Sequence, residues 1–343
     1  MIYNISEGKK LRKPDFNNIL KILNRQAPDR PTLFEFFLNP SLYAHLSGSP
    51  SSEFSYPYIK PEPVMRAFAA AGYDYATVHG SFFHFSGKQR ETKKTRSLNE
   101  GAVIEDRESF DAYTWNDPAS FDYSAVRDAN PPEGMKLMVA GPSGVLENVV
   151  ALCGYENLCI MTYEDPQLVF DIFEKVGSCL LKYYELSIKH KSVGLLMSND
   201  DWGFNTQTML SPEDMRKYVF PWHKKFVELA HETGIPAVLH SCGNLNEVID
   251  DIIDDLKYDG KHSYEDNIMC VEDSYRKWSS RIAILGGIDL DFVVSKTPAE
   301  ISRRCSAMLD LGKTGYALGT GNSVPDYVPW ENYFAMTKTV LER

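Results

Sequence analysis

The sequence contains little that would indicate secretion, membrane insertion or nucleic-acid binding. Its six cysteines among 343 residues are too few and too scattered for the disulfide framework of a small secreted protein. No apolar run reaches the roughly 20 residues of a membrane span, and the N-terminus lacks the apolar core of a signal peptide. Acidic residues outnumber basic ones by 47 to 36, for a net charge of −11. We therefore expect a cytoplasmic protein without a nucleic-acid or membrane partner, since both partners need a dense basic surface.

Short apolar segments alternate along the chain with helical patterns, in a composition typical of a globular enzyme (43% hydrophobic and 24% charged residues). Neighbouring parallel strands need a crossover helix, so this alternation predicts a parallel sheet. The eight predicted strands are Thr32–Phe37, Tyr75–His79, Lys136–Ala140, Val193–Ser198, Pro236–His240, Tyr258–His262, Ile282–Gly286 and Tyr316–Leu318. Helix starts are predicted at Asp165-Pro166, Ser211-Pro212, the Thr297–Glu300 capping box and Pro329.

Eight strand–helix units fit either an open doubly wound sheet or a closed barrel. The open sheet is usually marked by a glycine-rich turn after its first strand, whereas Phe36–Pro40 contains no glycine. We therefore predict an α/β fold, a single (β/α)8 TIM barrel spanning residues 1–343. Residues 82–132 are predicted to be a long, lid-like insertion after the second strand. A solvated surface loop is the alternative for its basic stretch Lys88–Arg96.

In such a barrel the active site lies at the carboxyl ends of the strands. The predicted strand ends are rich in polar and titratable residues, more than core packing needs. The candidates are Glu35, His79, His84, Asp200, Asp201, His240, Cys242, Glu265, Asp289 and Asn322.

The segment His240-Ser-Cys242 is the sharpest of these features. Imidazole nitrogen and thiolate sulfur are good zinc ligands, and Glu265 on the next strand end could complete the set. A hydrogen-bonded histidine beside a buried cysteine is the alternative. Strand alternation predicts that one of Asp200 and Asp201 points into the mouth of the barrel, and helix capping is the alternative role for both.

Several segments resemble the uroporphyrinogen decarboxylase superfamily, and the likeness runs from about Asp15 to the C-terminus. They are His240–Asn244, Leu285-Gly-Gly-Ile-Asp289, Leu210–Met215 with Val219-Phe-Pro221, and Gly319–Pro325. The resemblance implies a (β/α)8 barrel. Members of this superfamily include the haem-pathway decarboxylase and zinc-dependent methyltransferases that serve corrinoid proteins.

The decarboxylase branch holds an eight-carboxylate substrate with an arginine-rich segment after its first strand. This chain has Glu35–Pro40 there, and Arg25-Gln-Ala27 precedes the strand instead. Without guanidinium groups a polyanionic substrate is poorly matched to an acidic protein. Arginines of the predicted insertion, Arg90, Arg96 and Arg107, are the alternative source of positive charge.

The methyltransferase branch is similar to this chain at its predicted metal site. The resemblance implies His240, Cys242 and Glu265 as zinc ligands, and a second cysteine near Gly321. This chain has no cysteine there, so the metal either takes a carboxylate in its place, with His262 as another candidate, or is absent.

We therefore expect a zinc-assisted methyltransferase that works with a small methyl donor or acceptor and a separate corrinoid protein. Asp200, His79 and His84 would transfer protons, and Glu35, Asp201, Asp289 and Asn322 would contact the substrate. The alternatives are decarboxylation of a carboxylated tetrapyrrole and non-catalytic binding of a corrinoid or tetrapyrrole.

Overall fold

A computed structural model describes residues 12–54, 60–87 and 97–343 of the chain. Within these ranges seven strands form one curled parallel sheet, in which each strand pairs with the next along the chain. The strands are β1 (Tyr75–His79), β2 (Lys136–Ala140), β3 (Val193–Asn199), β4 (Ala237–His240), β5 (Gly260–His262), β6 (Ala283–Leu285) and β7 (Tyr316–Ala317). All seven were predicted, and their ends differ from prediction by two residues at most. The α/β class is thus confirmed.

Helices separate the strands and cover the sheet. They are α1 (Asn17–Leu23), α2 (Pro40–Ser47), α3 (Pro61–Ala71), α4 (Arg107–Ala112), α5 (Ser124–Arg127), α6 (Val145–Cys153), α7 (Tyr155–Glu164), α8 (Pro166–Ile188), α9 (Pro212–Asp214), α10 (Phe220–Glu232), α11 (Val271–Trp278), α12 (Leu290–Ser295), α13 (Pro298–Leu311) and α14 (Trp330–Leu341). Short 3-10 turns at Ser51–Phe54 and Pro118–Ser120 and π-turns at Met215–Val219 and Asp251–Asp255 complete the set within the described ranges. None of the described helices is long and apolar enough to cross a membrane.

The four helices whose starts were predicted, α8, α9, α13 and α14, begin where the sequence predicts. At α13 the Thr297 hydroxyl accepts from Glu300 N, and Glu300 Oε2 accepts from Thr297 N at 3.0 Å, which makes a capping box. At α9 Ser211 Oγ accepts from Asp214 N at 3.1 Å. A π-turn interrupts the helix between α9 and α10, next to Pro221, which has no N–H to donate to the helical ladder.

The first predicted strand, Thr32–Phe37, is not a strand, and that prediction was wrong. Leu33 forms an isolated parallel bridge with Leu318, beyond the end of β7. On the side that faces β1, the segment bonds to the Tyr75 side chain instead of to the backbone of a strand. The Tyr75 hydroxyl accepts from Glu35 N at 2.7 Å and donates to Glu35 O at 2.6 Å. One phenol therefore satisfies the two backbone groups that pairing with β1 would use.

The segment between β1 and β2 contains α4, the 3-10 turn at Pro118–Ser120 and α5. Phe83, Ile104 and Val126 in it are fully buried, so the described part of the segment packs against the rest of the chain. The basic stretch Lys88–Arg96 lies outside the described residues. A lid-like insertion at 82–132 stays a prediction.

The strand register sorts side chains onto two faces of the sheet. Asn199 on β3, His240 on β4 and His262 on β5 are paired in register, so their side chains point to the same face. Ser198, one residue earlier on β3, contacts His223 of α10 at 3.2 Å and marks the face that the helices cover. The opposite, inner face therefore carries an amide and two imidazoles at the carboxyl ends of neighbouring strands.

Helices α8 and α10 approach each other closely at a glycine. A Cβ atom on Gly177 of α8 would lie 2.0 Å from the ring of Trp222 on α10. The Trp222 side chain is buried, so its ring has little room to move away. Glycine at this position is therefore required by packing, although it weakens the helix by itself.

We expect Gly177→Ala to lower the free energy of unfolding by roughly 1–3 kcal/mol, the usual cost of overpacking a core. Alanine would otherwise add about 1 kcal/mol through helix propensity. Ser178→Ala, at the next and exposed position of the same helix, is the matched control and should be neutral or stabilising. Urea unfolding of both variants checks this, and equal stabilities would contradict the close packing of α8 on α10.

Candidate metal centre

Three metal-ligating side chains meet at the carboxyl ends of β3 and β4. Single ligand atoms of Asp201, His240 and Cys242 all lie within 4.8 Å of one another. His240 Nε2 is 3.8 Å from Cys242 Sγ and 3.9 Å from Asp201 Oδ1. Tetrahedral zinc, with bonds of 2.0–2.3 Å, places its ligand atoms roughly 3.5 Å apart. The two distances from His240 Nε2 exceed this spacing by only a few tenths of an ångström, so the group is compatible with a zinc site.

A tight turn after β4 brings Cys242 to the same side as His240. Gly243 adopts φ +86°, and a Cβ atom there would lie 2.1 Å from Gly203 O, so glycine is required. Cys242 N donates to Asp201 Oδ1 at 2.8 Å, which joins the turn to the end of β3. The Asp201 side chain remains 42% exposed, so an incoming ligand can reach the group from this side.

The sulfur of Cys242 accepts two hydrogen bonds from neighbouring strand ends. Asn322 Nδ2 lies 3.1 Å and Ser263 Oγ 3.3 Å from Cys242 Sγ. Burial and the nearby Asp201 carboxylate raise the pKa of the Cys242 thiol, so a cation beside it is needed to hold the thiolate at neutral pH. Asn322 lies one residue from Gly321, near which the methyltransferase branch is expected to have its second cysteine, and it donates to the sulfur instead.

His240 is held between an aromatic ring and a second histidine. Its Nδ1 lies 2.8 Å from His262 Nδ1, and its ring centroid is 4.6 Å from that of Phe36. Burial lowers the pKa of His240 to about 3 and that of His262 well below its usual value. Both imidazoles are therefore neutral at physiological pH, which is the state that binds a metal ion.

The predicted metal ligands are only partly brought together. His240 and Cys242 belong to the group, whereas Glu265 does not: its Oε1 accepts from Gly243 N at 3.3 Å. Asp201, predicted to contact the substrate, stands in the group instead. His262, the further candidate, lies behind His240 and contacts its Nδ1 rather than the group.

Asp200, predicted to be catalytic, is fully buried with both oxygens occupied. Oδ1 accepts from Glu147 N at 2.9 Å and Oδ2 from Leu146 N at 3.0 Å, at the first turn of α6. Oδ2 also lies 2.9 Å from His223 Nε2 on α10. A carboxylate at a helix N-terminus stabilises that helix. These contacts give Asp200 a structural role in joining β3 to two helices, and its catalytic role stays a prediction.

Two residues predicted to contact substrate have structural partners as well. Asp289 accepts from Phe292 N at 3.0 Å and from Asp266 N at 2.9 Å, and so caps α12. Glu35 is fully buried, and its Oε1 accepts from Thr320 N at 2.7 Å. Of the four substrate-contact candidates, the structure brings Asp201 and Asn322 to the metal-ligand group.

The two histidines at and after the end of β1 differ in position. His79 lies on the inner face of the sheet, in register with Ala140, and its ring packs at a tilt against Phe37 with ring centroids 5.3 Å apart. Burial lowers the pKa of His79 to about 4, so its ring is neutral at physiological pH. His84 is exposed, and its ring packs on Phe121 of the same segment.

Sequence reasoning missed Phe36, Ser263 and His223 as neighbours of the site. Ser263 directly follows β5, so its strand-end position was a usable signal. Phe36 was hidden in a segment predicted as a strand. His223 lies on α10, far from β3 in the sequence, and only the tertiary structure brings it to Asp200.

Glu35 is a neutral acid in this arrangement. Its Oε2 lies 2.7 Å from the Thr320 hydroxyl, which also contacts the carbonyl of Asn322. A hydroxyl has one hydrogen and a carbonyl has none, so both contacts are satisfied when Glu35 supplies the second proton. In agreement, burial raises the pKa of Glu35 to about 8, although its hydrogen bonds to Thr320 oppose the change.

Comparison with known proteins agrees with the sequence motifs. The family model described as uroporphyrinogen decarboxylase (URO-D) matches residues 137–343, which include β2 to β7 and the whole metal-ligand group. The chain belongs to the uroporphyrinogen decarboxylase family. The superfamily resemblance seen in the sequence is thereby confirmed.

Curated relatives of this family are distant. A uroporphyrinogen decarboxylase from Anaeromyxobacter sp. (strain Fw109-5) is 23% identical over 225 residues, 63% of this chain and 60% of the relative. One from Geobacter sp. (strain M21) is 28% identical over 91 residues, 26% of this chain and 25% of the relative. The matches thus span 60% or less of these relatives. Among solved structures, a methyltransferase from Methanosarcina mazei shares the fold, with a TM-score of 0.67 at 15% identity, covering 96% of this chain and 99% of that chain.

We expect Glu35→Gln to make stability less dependent on pH. Between pH about 4.5 and 8 the carboxyl group ionises in the unfolded chain but stays protonated in the folded one. Wild-type stability therefore falls as pH rises through this range, whereas glutamine keeps both contacts without a proton to lose. From pH 6 to 9 the Tm of wild type should therefore fall by a few degrees more than the Tm of Glu35→Gln. For a chain of this size each kcal/mol of unfolding free energy corresponds to about 2 °C in Tm.

Glu228→Gln, at an exposed position of α10, is the matched control and should follow the wild-type pH profile. Thermal unfolding monitored by circular dichroism at pH 6, 7.5 and 9 measures the three proteins. Parallel profiles for wild type and Glu35→Gln would show that Glu35 is ionised in the folded protein.

Proposed function

We propose that this protein is a zinc-assisted methyltransferase that moves a methyl group between a small substrate and a separate corrinoid protein. The group formed by Asp201, His240 and Cys242 carries the proposal. It lies at the carboxyl ends of parallel strands, where enzymes of the (β/α)8 class place their active sites. We further propose that the seven strands and the segment at Leu33 together make such a barrel.

The donor set suits a catalytic rather than a structural zinc ion. Three protein ligands leave a fourth position open for a substrate, whereas structural sites are closed by four. Bound there, zinc would keep the sulfur or oxygen of a small substrate deprotonated near neutral pH. Asp201, His240 and Cys242 would hold the ion, and Asn322 and Ser263 would orient the sulfur of Cys242.

The surroundings favour a small substrate without many charges. The rings of Phe36 and Phe37 pack against each other at a tilt, and they contact the rings of His240 and His79 respectively. A pocket of about 690 Å³, counted with its open mouth, lies next to His79 and is lined by Phe37, Val64 and Ser81 among others. The aromatic rings would exclude water from the reacting groups, and neutral His79 would accept or return a proton.

Decarboxylation of a carboxylated tetrapyrrole is the second candidate, and the names of the curated relatives favour it. Charge argues against it. In the described ranges the segments that directly follow the strands contain no arginine, and Arg107 is paired with Asp171 at 2.7 Å on the helix layer. Arg90 and Arg96 lie outside the described residues. The Methanosarcina mazei neighbour is named a methyltransferase, which agrees with the first candidate.

The metal is tested by zinc analysis of protein purified without chelator. We expect one zinc per chain in wild type, and about one-tenth of that or less in His240→Ala and Cys242→Ser, because each variant loses one of three ligands. His231→Ala, which removes an exposed histidine paired with Asp259, is the control and should keep its zinc. Wild-type protein without zinc, together with unchanged activity of His240→Ala, would overturn the mechanism.

The reaction is tested with methylcobalamin and a small thiol as probes for the two partners. Wild type should transfer the methyl group, and Cys242→Ser should lower the rate by about two orders of magnitude or more, because the metal ion that activates the thiol is lost. Uroporphyrinogen, offered in parallel and followed by chromatography, should stay unchanged. Its decarboxylation would establish the second candidate, and binding of either probe without turnover would indicate a non-catalytic protein.

A further inference from the structure

The contact between the two inner-face histidines constrains where their protons lie. His240 Nδ1 and His262 Nδ1 are 2.8 Å apart, and both side chains are buried, at 5% and 0% exposure. Two bare nitrogens would repel each other at this distance, and so would two N–H groups. One ring must therefore donate a hydrogen from Nδ1 and the other must accept it.

The contact made by the other ring nitrogen of His262, Nε2, decides which of the two rings donates. His262 Nε2 lies 3.3 Å from the backbone carbonyl of Thr320. A carbonyl only accepts, so His262 Nε2 carries the hydrogen of that neutral ring and His262 Nδ1 is bare. His240 must then donate from Nδ1. Its own Nε2 is left with a free electron pair.

The Thr320 carbonyl, which sets the proton positions on the two histidines, is held in place by its neighbours. Thr320 N donates to the buried carboxyl group of Glu35 at 2.7 Å. Gly286 lies against the same spot: a Cβ atom there would be 2.4 Å from Thr320 O and 2.9 Å from His262 Nε2. The rings are packed as well, since Phe34 lies 5.4 Å from His262 and Phe36 lies 4.6 Å from His240, centroid to centroid.

We infer that His262 is a positioning residue that sets the tautomer of His240, so that the free electron pair of His240 Nε2 faces Asp201 and Cys242. The inference rests on the proposed function for its zinc ion. Without His262, His240 is free to adopt the tautomer with hydrogen on Nε2, where it blocks metal binding. A ligating imidazole is commonly oriented in this way by a partner on its other nitrogen.

The tautomer can be read in metal-free protein from ¹⁵N chemical shifts of the histidine rings. In wild type we expect a protonated Nδ1 and a bare, pyridine-type Nε2 on His240, and the reverse on His262. In His262→Phe the His240 Nε2 signal should move toward the protonated position. A protonated Nε2 on His240 in the wild-type protein would overturn the inference.

Zinc affinity gives a second readout that does not depend on turnover. By competition with a chromophoric chelator, His262→Phe should bind zinc roughly 10–100-fold more weakly than wild type, the usual effect of losing such a partner. His262→Asn places an amide oxygen near the position of Nδ1 and should rescue binding to within a few-fold. His262→Gln, whose amide falls near Nε2 instead, should resemble His262→Phe.

If His262→Phe does not fold, the comparison of His262→Asn with His262→Gln still tests the inference, because the two introduced side chains are both polar and similar in size. Equal zinc affinities of wild type, His262→Asn and His262→Gln would overturn the inference and leave the zinc site intact. Wild-type protein without any zinc affinity would overturn the proposed function. In that case the ring shifts of the metal-free protein still decide whether His262 sets the tautomer of His240.

Discussion

The in-register pairing of β3, β4 and β5 is the constraint on which the site depends. Parallel pairing places Asn199, His240 and His262 side by side on one face, and a one-residue shift of any one of these strands would turn its side chain toward the helices. The turn at Gly243 then brings Cys242 back beside His240, against the end of β3. The arrangement of Asp201, His240 and Cys242 therefore depends on the pairing of these strands together with the turn at Gly243.

The role of each carboxyl group near the strand ends depends on its hydrogen-bond partners rather than on its place in the sequence. Asp200 and Asp201 are adjacent, yet strand alternation sends one to the first turn of α6 and leaves the other beside His240 and Cys242. Glu35 is buried so completely that it keeps a proton, and its carboxyl group joins the N-terminal segment to the loop after β7. The buried carboxyl groups of Asp200 and Glu35 have hydrogen-bond partners at both oxygens, whereas the half-buried Asp201 side chain lies beside His240 and Cys242.

The family relationship leaves room for different chemistry on one scaffold. The matched region contains β2 to β7 and the metal-ligand group, while the segment at Glu35 that would meet a polyanionic substrate carries an acid and aromatic rings. Asn322 is close to the place expected for a second cysteine, and it donates to the sulfur of Cys242. In the proposed zinc site the Asn322 amide would support the Cys242 sulfur as a ligand, and the Asp201 carboxylate would supply the third donor.

The sequence by itself determined the α/β class, seven strands, the helix starts and the pairing of His240 with Cys242, because these depend on local periodicity, capping residues and short spacing. Only the tertiary structure decided that Asp201 and not Glu265 lies beside them, that Asp200 accepts from the first turn of α6, and that His262 lies behind His240. These outcomes depend on register and on contacts between residues far apart in the chain, such as Tyr75 with Glu35 and Thr320 with His262. Local patterns predict which residues reach the strand ends, but the distances between strand ends are set by how the whole sheet curls.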